Sequence, residues 1–290
     1  MKNNNSIAVI GGDSRQLFAA DFLARSGYKV SVFANEHGKI PENADLLNML
    51  SEIDAFEIIL LPLPVSKNGK TINTPLSSQE ITIKELTDVL SEKHTVFYGM
   101  GSEGFKRMIQ ARTKNHYDYF TSENLIYKNA YLTAEGIAGI ILEKLPISVR
   151  GLKVAVTGYG RIGSFCCAIL RKLGADVTAF TGRPEKIIKA EYSGIKGKLT
   201  EELQALVKDF DCIINTVPAR VITSDIIKNT KPDCVLIESA SAPYGIDSDA
   251  CMKHNRQLIK AFSLPGKTSP KSAGIIIAQT IEEKLQEVNL

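Results

Sequence analysis

The hydrophobic positions of the chain repeat one arrangement, in which a short apolar run is followed by a segment with helical spacing. Short apolar runs predict buried strands, and apolar residues three and four apart predict the helices that cover them. Strands alternating with helices are typical of an α/β protein built on parallel sheets. The predicted strands lie at residues 7–10, 30–33, 58–61, 95–98, 154–156, 176–180, 211–217, 234–238 and 258–262.

One stretch of this pattern, residues 153–183, has glycines at the turn between its first strand and its helix. The turn is a G-x-G-x-x-G motif made of Gly158, Tyr159, Gly160, Arg161, Ile162 and Gly163. Gly158 permits the tight turn, Gly160 lets a pyrophosphate approach the backbone, and Gly163 lets the helix pack on the strand. Free N–H groups of the first helical turn then face the phosphates. The stretch predicts a dinucleotide-binding Rossmann unit; a Rossmann unit that no longer binds a ligand is the alternative.

The end of the next strand indicates which dinucleotide is bound. An NAD site usually has Asp or Glu about 20 residues after the glycines, bonded to the ribose 2′-hydroxyl. Here Thr181, Gly182 and Arg183 stand at that point, and the first carboxylate comes after Pro184. A hydroxyl and a guanidinium suit a 2′-phosphate, so NADP is the predicted cofactor. The same run resembles that of NADP-preferring glyoxylate/hydroxypyruvate reductases. A solvated loop arginine is the alternative for Arg183.

Further site residues follow from the topology, because ligands of an open α/β sheet bind outside the carboxyl ends of its strands. The loops expected to border one cleft are 11–15, 99–102, 158–163, 216–218 and 239–241. The loop at 99–102 fits equally well as a plain turn into a helix. Besides the glycine motif, the residues predicted to bind the cofactor are Thr216, Val217, Pro218, Ser239 and Ala240, while Ser241 is predicted to bind substrate.

Three cations are placed near that cleft by the same argument. Arg15 follows the first strand, and Lys267 and Lys271 lie in a loop predicted at 263–272. Together they suit a small dicarboxylate, since carboxylates form strong charge-assisted hydrogen bonds. The alternative is that the lysines are simply solvated.

Composition limits the class of protein. The 290 residues are 44% hydrophobic and 23% charged, with a net charge of +3. These values indicate a soluble protein large enough for two domains. Without a dense basic run, nucleic-acid binding is not expected. No apolar run approaches the roughly 18 residues of a membrane helix, and MKNNNS does not resemble a signal peptide, so a cytoplasmic protein is expected.

The predicted domain organisation combines these elements. An N-terminal α/β domain is predicted at 1–130, a linker helix at 131–150, and the Rossmann domain at 151–272. A C-terminal helix at 273–290 is expected to return to the first domain. The predicted fold is therefore two doubly wound α/β domains.

The cysteines point to packing. Their number is odd and no C-x-x-C occurs, so buried core thiols are expected. Cys251 and His254 are three residues apart without further ligands nearby, so no metal site is predicted. The five cysteines are Cys166, Cys167, Cys212, Cys234 and Cys251.

Five stretches resemble the A subunit of dipicolinate synthase from spore-forming bacteria. The stretches are GGDSRQ, TAEGIAGIILE, GYGRIG with TGR, ESASAPYGID and LPGKTSPKSAG, so the resemblance covers essentially the whole chain. It implies oxidation of a dihydrodipicolinate-type precursor to pyridine-2,6-dicarboxylate, with NADP accepting hydride. It also implies a partner, a flavoprotein-like B subunit, and expression in the mother cell during sporulation.

The architecture also resembles the 2-hydroxyacid dehydrogenases, which place a catalytic histidine shortly before the final crossing helix. The last histidine here is His254, so imidazole acid–base chemistry on a ketone is not expected. Glu135 is the candidate base, on the expectation that its helix begins beside the cleft. A surface glutamate in the first turn of a helix is the alternative.

Two other functions remain open. The chain could be an NADP-binding regulatory or scaffold subunit, or another NADP-dependent dehydrogenase of a small carboxylic acid. Formation of a homo-oligomer is also left open.

Overall fold

The computed structural model describes residues 6–288, which form two compact units. The first unit runs to Asn129 and resumes at Ser269, and the second spans Ala130–Thr268. The strands are Ser6–Ile10 (β1), Lys29–Phe33 (β2), Ala44–Leu46 (β3), Ile58–Leu60 (β4), Thr95–Tyr98 (β5), His116–Asp118 (β6), Lys153–Thr157 (β7), Asp176–Thr181 (β8), Lys196–Leu199 (β9), Cys212–Asn215 (β10), Val235–Glu238 (β11) and Gln257–Lys260 (β12). The α-helices are Ser14–Arg25 (α1), Ile83–Val89 (α2), Glu103–Gln110 (α3), Glu123–Lys144 (α4), Arg161–Lys172 (α5), Pro184–Tyr192 (α6), Leu203–Leu206 (α7), Ser224–Lys228 (α8), Ser248–Lys253 (α9), Leu264–Thr268 (α10) and Pro270–Glu287 (α11).

Each unit is built on a six-stranded parallel sheet. The strand orders are β3-β2-β1-β4-β5-β6 and β12-β11-β10-β7-β8-β9. In both sheets the order reverses beside the first strand, because β1 pairs with β2 and β4, and β7 pairs with β8 and β10. The predicted pair of doubly wound α/β domains is therefore confirmed, and each sheet has a switch point where ligands bind in such folds.

In the first unit, two helices from opposite ends of the sequence share one face of the sheet. Leu17 and Leu23 of α1 and Ile277 and Ile281 of α11 pack in one buried cluster with β1 and β4. Gly274 permits the close approach, because a Cβ atom there would collide with the carbonyl oxygen of Arg15. The C-terminal helix thus supplies core to the first unit, and each such isoleucine contributes about 1.5–3 kcal/mol by burial.

In the second unit, the helix that precedes the sheet belongs to its core. Ala134, Ile137 and Ile141 of α4 are buried together with β7, β10 and α5. A separate cluster covers the opposite face and includes Phe180, Phe210 and Ile213.

The helix predicted at 131–150 lies instead at Glu123–Lys144. The predicted start is too late because the apolar stripe alone does not mark the first turns. The Ser122 hydroxyl, which accepts from the Leu125 N–H, is the capping signal that identifies the start. Pro146 follows the end of the helix, as expected for a residue without an N–H.

The loop predicted at 263–272 is also wrong. Residues Leu264–Thr268 form α10, and α11 begins at Pro270 rather than at residue 273. Proline at a first helical position loses no hydrogen bond, so Pro270 marks a helix start and not a loop. The predicted end of α11 at residue 290 lies outside the described residues.

The five cysteines are all free and buried, as predicted. Burial raises the pKa of the Cys166 and Cys212 thiols well above the usual value, which keeps them protonated and unreactive. Within residues 6–288, no helix is long and apolar enough to cross a membrane. The same residues contain no group of three potential metal ligands.

Candidate functional site

The glycine turn of the second unit has the packing that a dinucleotide site requires. Gly158 follows β7 with a φ of 91°, and a Cβ atom there would lie 2.5 Å from the Thr216 hydroxyl oxygen. A Cβ atom on Gly163 would collide with the Gly158 carbonyl oxygen, whereas none of the described atoms lies within 4 Å of the Cβ position of Gly160. Two glycines therefore permit close packing and the third leaves open space, which is the arrangement that admits a pyrophosphate.

The helix after this turn offers backbone donors. Gly160 is the N-cap residue of α5 and supplies no side-chain cap, so the amides of the first turn, at Arg161, Ile162 and Gly163, point out of the helix end. The preceding Tyr159 is buried. An uncapped helix N-terminus beside a glycine cradle fits a phosphate group.

At the end of β8, Thr181, Gly182 and Arg183 differ in their surroundings. Thr181 is buried, and its hydroxyl oxygen accepts from the Arg183 N–H at 3.3 Å. Gly182 has open space at its Cβ position, and Arg183 is exposed at the N-cap of α6. The Arg183 guanidinium has no hydrogen-bonding or ionic partner among the described residues. A cation at the N-terminus of a helix, with no carboxylate at the end of the strand before it, suits an anionic group such as a 2′-phosphate.

The loop after β10 is held by hydrogen bonds to the last residues of β7 and β10. The Thr216 hydroxyl donates to the Thr157 carbonyl at 2.8 Å, and the Val217 N–H donates to the Asn215 side-chain oxygen at 3.1 Å. Pro218 follows directly. This loop faces Gly158, since both Thr216 and Val217 limit the space at that glycine. The structure thus brings the loops after β7 and β10 together, as the topology predicted.

The loop after β11 carries the remaining predicted cofactor residues. The Ser239 N–H donates to the Asn215 carbonyl at 2.9 Å, and the Ala240 N–H donates to the Glu238 carboxylate at 3.0 Å. The Ser239 hydroxyl is buried and has no partner in the described part of the chain. A buried hydroxyl without a partner costs free energy, so Ser239 fits a position that a ligand completes.

A polar network under these loops was missed by the sequence reasoning. The Thr157 hydroxyl donates to the Asn215 side-chain oxygen at 2.7 Å, and the Asn215 side-chain N–H donates to Glu238 at 2.7 Å. The three side chains are buried and cross the carboxyl ends of β7, β10 and β11. The signal was present in the sequence, because Asn215 and Glu238 each interrupt an apolar strand.

The Glu238 carboxylate holds its loop through backbone donors. Besides Asn215 and Ala240, it accepts from the N–H groups of Gly245 and Ile246, each at 2.8 Å. A buried carboxylate is tolerated when such charge-assisted hydrogen bonds replace water. The Glu238 side chain therefore holds both ends of the loop at 239–246.

In the first unit, Arg15 is buried and already engaged. Its Nε and Nη2 atoms donate to the two carboxylate oxygens of Asp13, each at 2.9 Å, and Nη2 also donates to the Leu63 carbonyl. Asp13 is the N-cap of α1 and accepts from the Arg15 N–H. Nη1 makes no hydrogen bond to the described residues. Arg15 therefore has one nitrogen left for a ligand at the carboxyl end of β1.

The two lysines lie on helices. Lys267 is exposed on α10 in the second unit. Lys271 is exposed in the first turn of α11, and it lines a 150 Å³ hollow of the first unit with Phe18, Asp21 and Arg25. These three residues lie further along α1 than Arg15. Lys271 is therefore displaced along α1, away from the carboxyl end of β1 where Arg15 lies.

Glu135 is exposed in the middle of α4, not in a first turn. The helix begins at Glu123, so the expectation that Glu135 lies near its start is wrong. The adjacent Gly136 is a packing point, because a Cβ atom there would lie 3.0 Å from Leu264 and 3.1 Å from the Thr268 hydroxyl oxygen. Gly136, the residue after Glu135, thus packs against α10 within the second unit. Ser241 is exposed in the loop after β11.

The loop at Gly99–Ser102 is a structural turn. The Asp118 carboxylate accepts from the N–H groups of Met100 and Gly101, and the Ser102 hydroxyl caps α3. Its polar groups are used within the first unit, which favours the plain-turn alternative.

Two family models match the chain. Residues 6–120 match the N-terminal domain of the dipicolinate synthase A subunit. Residues 134–253 match the D-isomer specific 2-hydroxyacid dehydrogenase, NAD binding domain. The second match covers the glycine turn and the loops after β8, β10 and β11.

Individual relatives extend the similarity over the whole length. The dipicolinate synthase A subunit of Bacillus subtilis (strain 168) is 28% identical over 289 residues, covering 97% of this chain and 96% of the relative. The solved structure of dipicolinate synthase, A chain, from Bacillus subtilis is 25% identical, with a TM-score of 0.85 over 100% of this chain and 98% of that one. The solved dipicolinate synthase A subunit from Bacillus halodurans has a TM-score of 0.88 over 98% of this chain and 99% of that one, at 23% identity.

The resemblance to the A subunit of dipicolinate synthase is thereby confirmed. The second unit is a dinucleotide-binding domain of the dehydrogenase type, which supports a nicotinamide dinucleotide as cofactor and an oxidoreductase as the class of protein.

Proposed function

We propose that the chain is an NADP-dependent oxidoreductase subunit that converts a dihydrodipicolinate-type precursor to dipicolinate during spore formation in a mother-cell cytoplasm. The observation that carries the proposal is the uncapped, glycine-lined N-terminus of α5 in a chain similar to the dipicolinate synthase A subunit from end to end. The reaction is a two-electron oxidation. The precursor loses a hydride and a proton, and its ring becomes aromatic.

The second unit supports a proposed position for each part of the cofactor. The pyrophosphate would lie on Gly160 and the first turn of α5, the 2′-phosphate near Thr181 and Arg183, and the nicotinamide end beside Thr216 and Ser239. The bound nicotinamide supplies the hydride acceptor. The exposed Arg183 is the observation that favours NADP over NAD.

For the substrate, Arg15 is the foremost candidate ligand of a carboxylate. Asp13 fixes the guanidinium and leaves Nη1 available, so the side chain needs little reordering when it binds an anion. Lys267 and Lys271 are proposed as further cations for the carboxylates, with Ser241 as an additional contact. Their exposure means that each would contribute less than a buried cation.

The proton leaving the ring requires an acceptor. Glu135 is proposed for this role on the basis of its carboxylate and its place next to Gly136, which packs against α10. Water is the alternative acceptor, since aromatisation drives the loss of the proton. Kinetics of Glu135→Gln separate the two: a loss of turnover with unchanged NADP affinity supports Glu135.

Steady-state kinetics of Arg15→Ala, Lys267→Ala and Lys271→Ala test the substrate site. Each variant is expected to raise the substrate concentration needed for half-maximal rate more than it lowers the maximal rate, with Arg15→Ala the largest. NADP affinity should stay constant. Wild-type substrate dependence in all three variants contradicts the cationic site.

The alternative is an NADP-binding regulatory or scaffold subunit of an assembly with a flavoprotein-like B subunit. The relatives are each named as one lettered subunit of their enzyme, and this favours a partner. Assaying the purified chain with precursor generated in situ, with and without a B-type partner, distinguishes the two. Activity that appears only with the partner supports the regulatory or shared role.

A further inference from the structure

The loop closed by Glu238 presents an aromatic side chain in an unusual backbone conformation. Tyr244 has a φ of 63°, in the left-handed region, and is 43% exposed. Bulky residues rarely adopt a positive φ, and such positions concentrate at ligand sites. This tyrosine has no role in the site as described so far.

The backbone on both sides of Tyr244 is fixed. Its own N–H donates to the Ser241 carbonyl at 3.0 Å. The next two N–H groups, of Gly245 and Ile246, donate to the Glu238 carboxylate at 2.8 Å each. The Glu238 carboxylate thus holds the backbone in its unusual conformation. The Cα–Cβ direction from which the Tyr244 ring extends is therefore fixed.

The location of Tyr244 is set by its neighbour Gly245. A Cβ atom on Gly245 would lie 2.7 Å from the Val217 carbonyl oxygen and 2.8 Å from that of Ala219. The glycine therefore packs directly on the loop after β10. Tyr244 therefore lies in the loop after β11, next to a residue that packs on the loop after β10, at the carboxyl ends of the two strands. Ligands of this fold bind at that end of the sheet, and the nicotinamide end of a dinucleotide is expected there.

One face of the tyrosine ring is covered. The Phe262 ring stacks on it with a centroid distance of 5.0 Å and an interplanar angle of 21°. Phe262 comes just after β12, the next strand of the sheet. Since Phe262 covers one face, a ligand would contact the opposite face or the edge of the partly exposed Tyr244 ring.

We propose that Tyr244, backed by Phe262, is a stacking wall for a flat heterocycle that bears a carboxyl or carboxamide group. Such a ring is present both in the nicotinamide of the cofactor and in the ring of the substrate. Aromatic rings stack with centroids about 4.5–7 Å apart, which is the spacing already used by the Tyr244–Phe262 pair. The inference rests on the proposed function, and it adds that Tyr244 contacts the ring of the nicotinamide or of the substrate.

Calorimetric binding to three ligands tests the wall without relying on turnover. The ligands are NADP⁺, 2′-phospho-ADP-ribose, which lacks the nicotinamide, and dipicolinate added to protein saturated with NADPH. The variants are Tyr244→Ala and Tyr244→Phe, and Phe262→Leu removes only the backing ring. Tyr192→Ala is the matched control, because Tyr192 is 91% exposed in the same unit.

Tyr244→Ala is expected to weaken one ligand by about three- to tenfold, the range of aromatic pair energies. A loss for NADP⁺ with unchanged 2′-phospho-ADP-ribose assigns the nicotinamide, and a loss for dipicolinate alone assigns the substrate ring. Tyr244→Phe and Tyr192→Ala should match wild type, and Phe262→Leu should give a smaller loss for the same ligand.

Wild-type affinities of Tyr244→Ala for all three ligands would overturn the inference. A parallel loss for 2′-phospho-ADP-ribose would overturn it too, because that ligand keeps the adenine but lacks the ring with a carboxamide that the wall is proposed to hold. Either result leaves the proposed function standing if wild-type protein binds NADP⁺ and dipicolinate. Wild-type protein that binds neither contradicts the proposed function itself.

Discussion

Arg183 is the residue on which the choice of cofactor depends. Its exposed guanidinium stands at the N-cap of α6, with Thr181 before it and no carboxylate on the last residues of β8. Replacing Arg183 with Ala should weaken NADP by about 1.5–3 kcal/mol, the range for hydrogen bonds to charged groups, and barely change NAD. Titration of both cofactors checks this, and an equal loss for the two would show that Arg183 does not read the 2′-phosphate.

His94 gives the protein a pH-dependent stability. The side chain is fully buried, and its Nδ1 accepts from the Ser91 N–H at 2.9 Å. Burial lowers the pKa of His94 below its usual value. The folded state therefore takes up a proton less readily than the unfolded state. Stability is full above the unfolded pKa and falls as pH drops from there towards the folded pKa.

We expect the free energy of unfolding to decline between about pH 7 and pH 5, and His94→Leu to flatten that decline. Burial also lowers the pKa of His116, with a smaller effect from the charge of Lys106, so the slope should shrink and not vanish. Denaturant unfolding across this range measures it. Identical slopes in the variant and wild type would rule out His94 as a cause.

The residues that sequence reasoning could find are those whose chemistry follows from local spacing. Gly158, Gly160 and Gly163 have the expected packing because strand, turn and helix are consecutive. The position of Arg15 after the first strand predicted a binding role, but its hydrogen bonds to Asp13 and Leu63 were not predicted. Leu63 lies in the loop after β4, far from Arg15 in the sequence. Tyr244 was missed because its importance lies in a backbone angle and a partner, Phe262, that spacing does not predict.

Among the elements, the buried strands were predictable, whereas the edge strands β3, β6 and β9 were not; of the edge strands only β12 was predicted. Central strands such as β7 and β10 are continuous apolar runs, because both of their faces are covered. The missed strands β3 and β6 have three residues each, and none of these residues is fully buried. They exist through pairing with a neighbour, which leaves no periodic signal in the sequence.

The C-terminal helix α11 carries a prediction at the same scale. Ile281 is fully buried against α1 and the sheet, so Ile281→Ala should cost about 2–5 kcal/mol of unfolding free energy. Ile188→Ala, at a 55% exposed isoleucine on α6, is the matched control and should stay within about 0.5 kcal/mol. Truncation at Ser272 removes most of the helix and should give insoluble or partly unfolded protein. A soluble truncation with unchanged melting would contradict this role.

At the scale of the whole molecule, the two sheets have the same strand order but different residues at the start of the helix after their first strand. The second has the glycine turn and an uncapped helix N-terminus, whereas the first has Asp13 as the cap of α1, with Arg15 bound to it. The same fold can thus serve a dinucleotide in one unit, and we propose a carboxylate in the other. Sequence predicted both folds, because the repeating strand–helix pattern determines the doubly wound order.

The most direct measurement is the stoichiometry of the proposed reaction. Purified chain is supplied with precursor generated in situ and with NADP⁺, and NADPH and dipicolinate are quantified together over time. Equal amounts of the two products are expected, with a much lower rate when NAD⁺ replaces NADP⁺ or when Arg183 is alanine. Dipicolinate formed without NADPH, or at the same rate in the absence of the protein, would contradict an NADP-dependent oxidation by this chain.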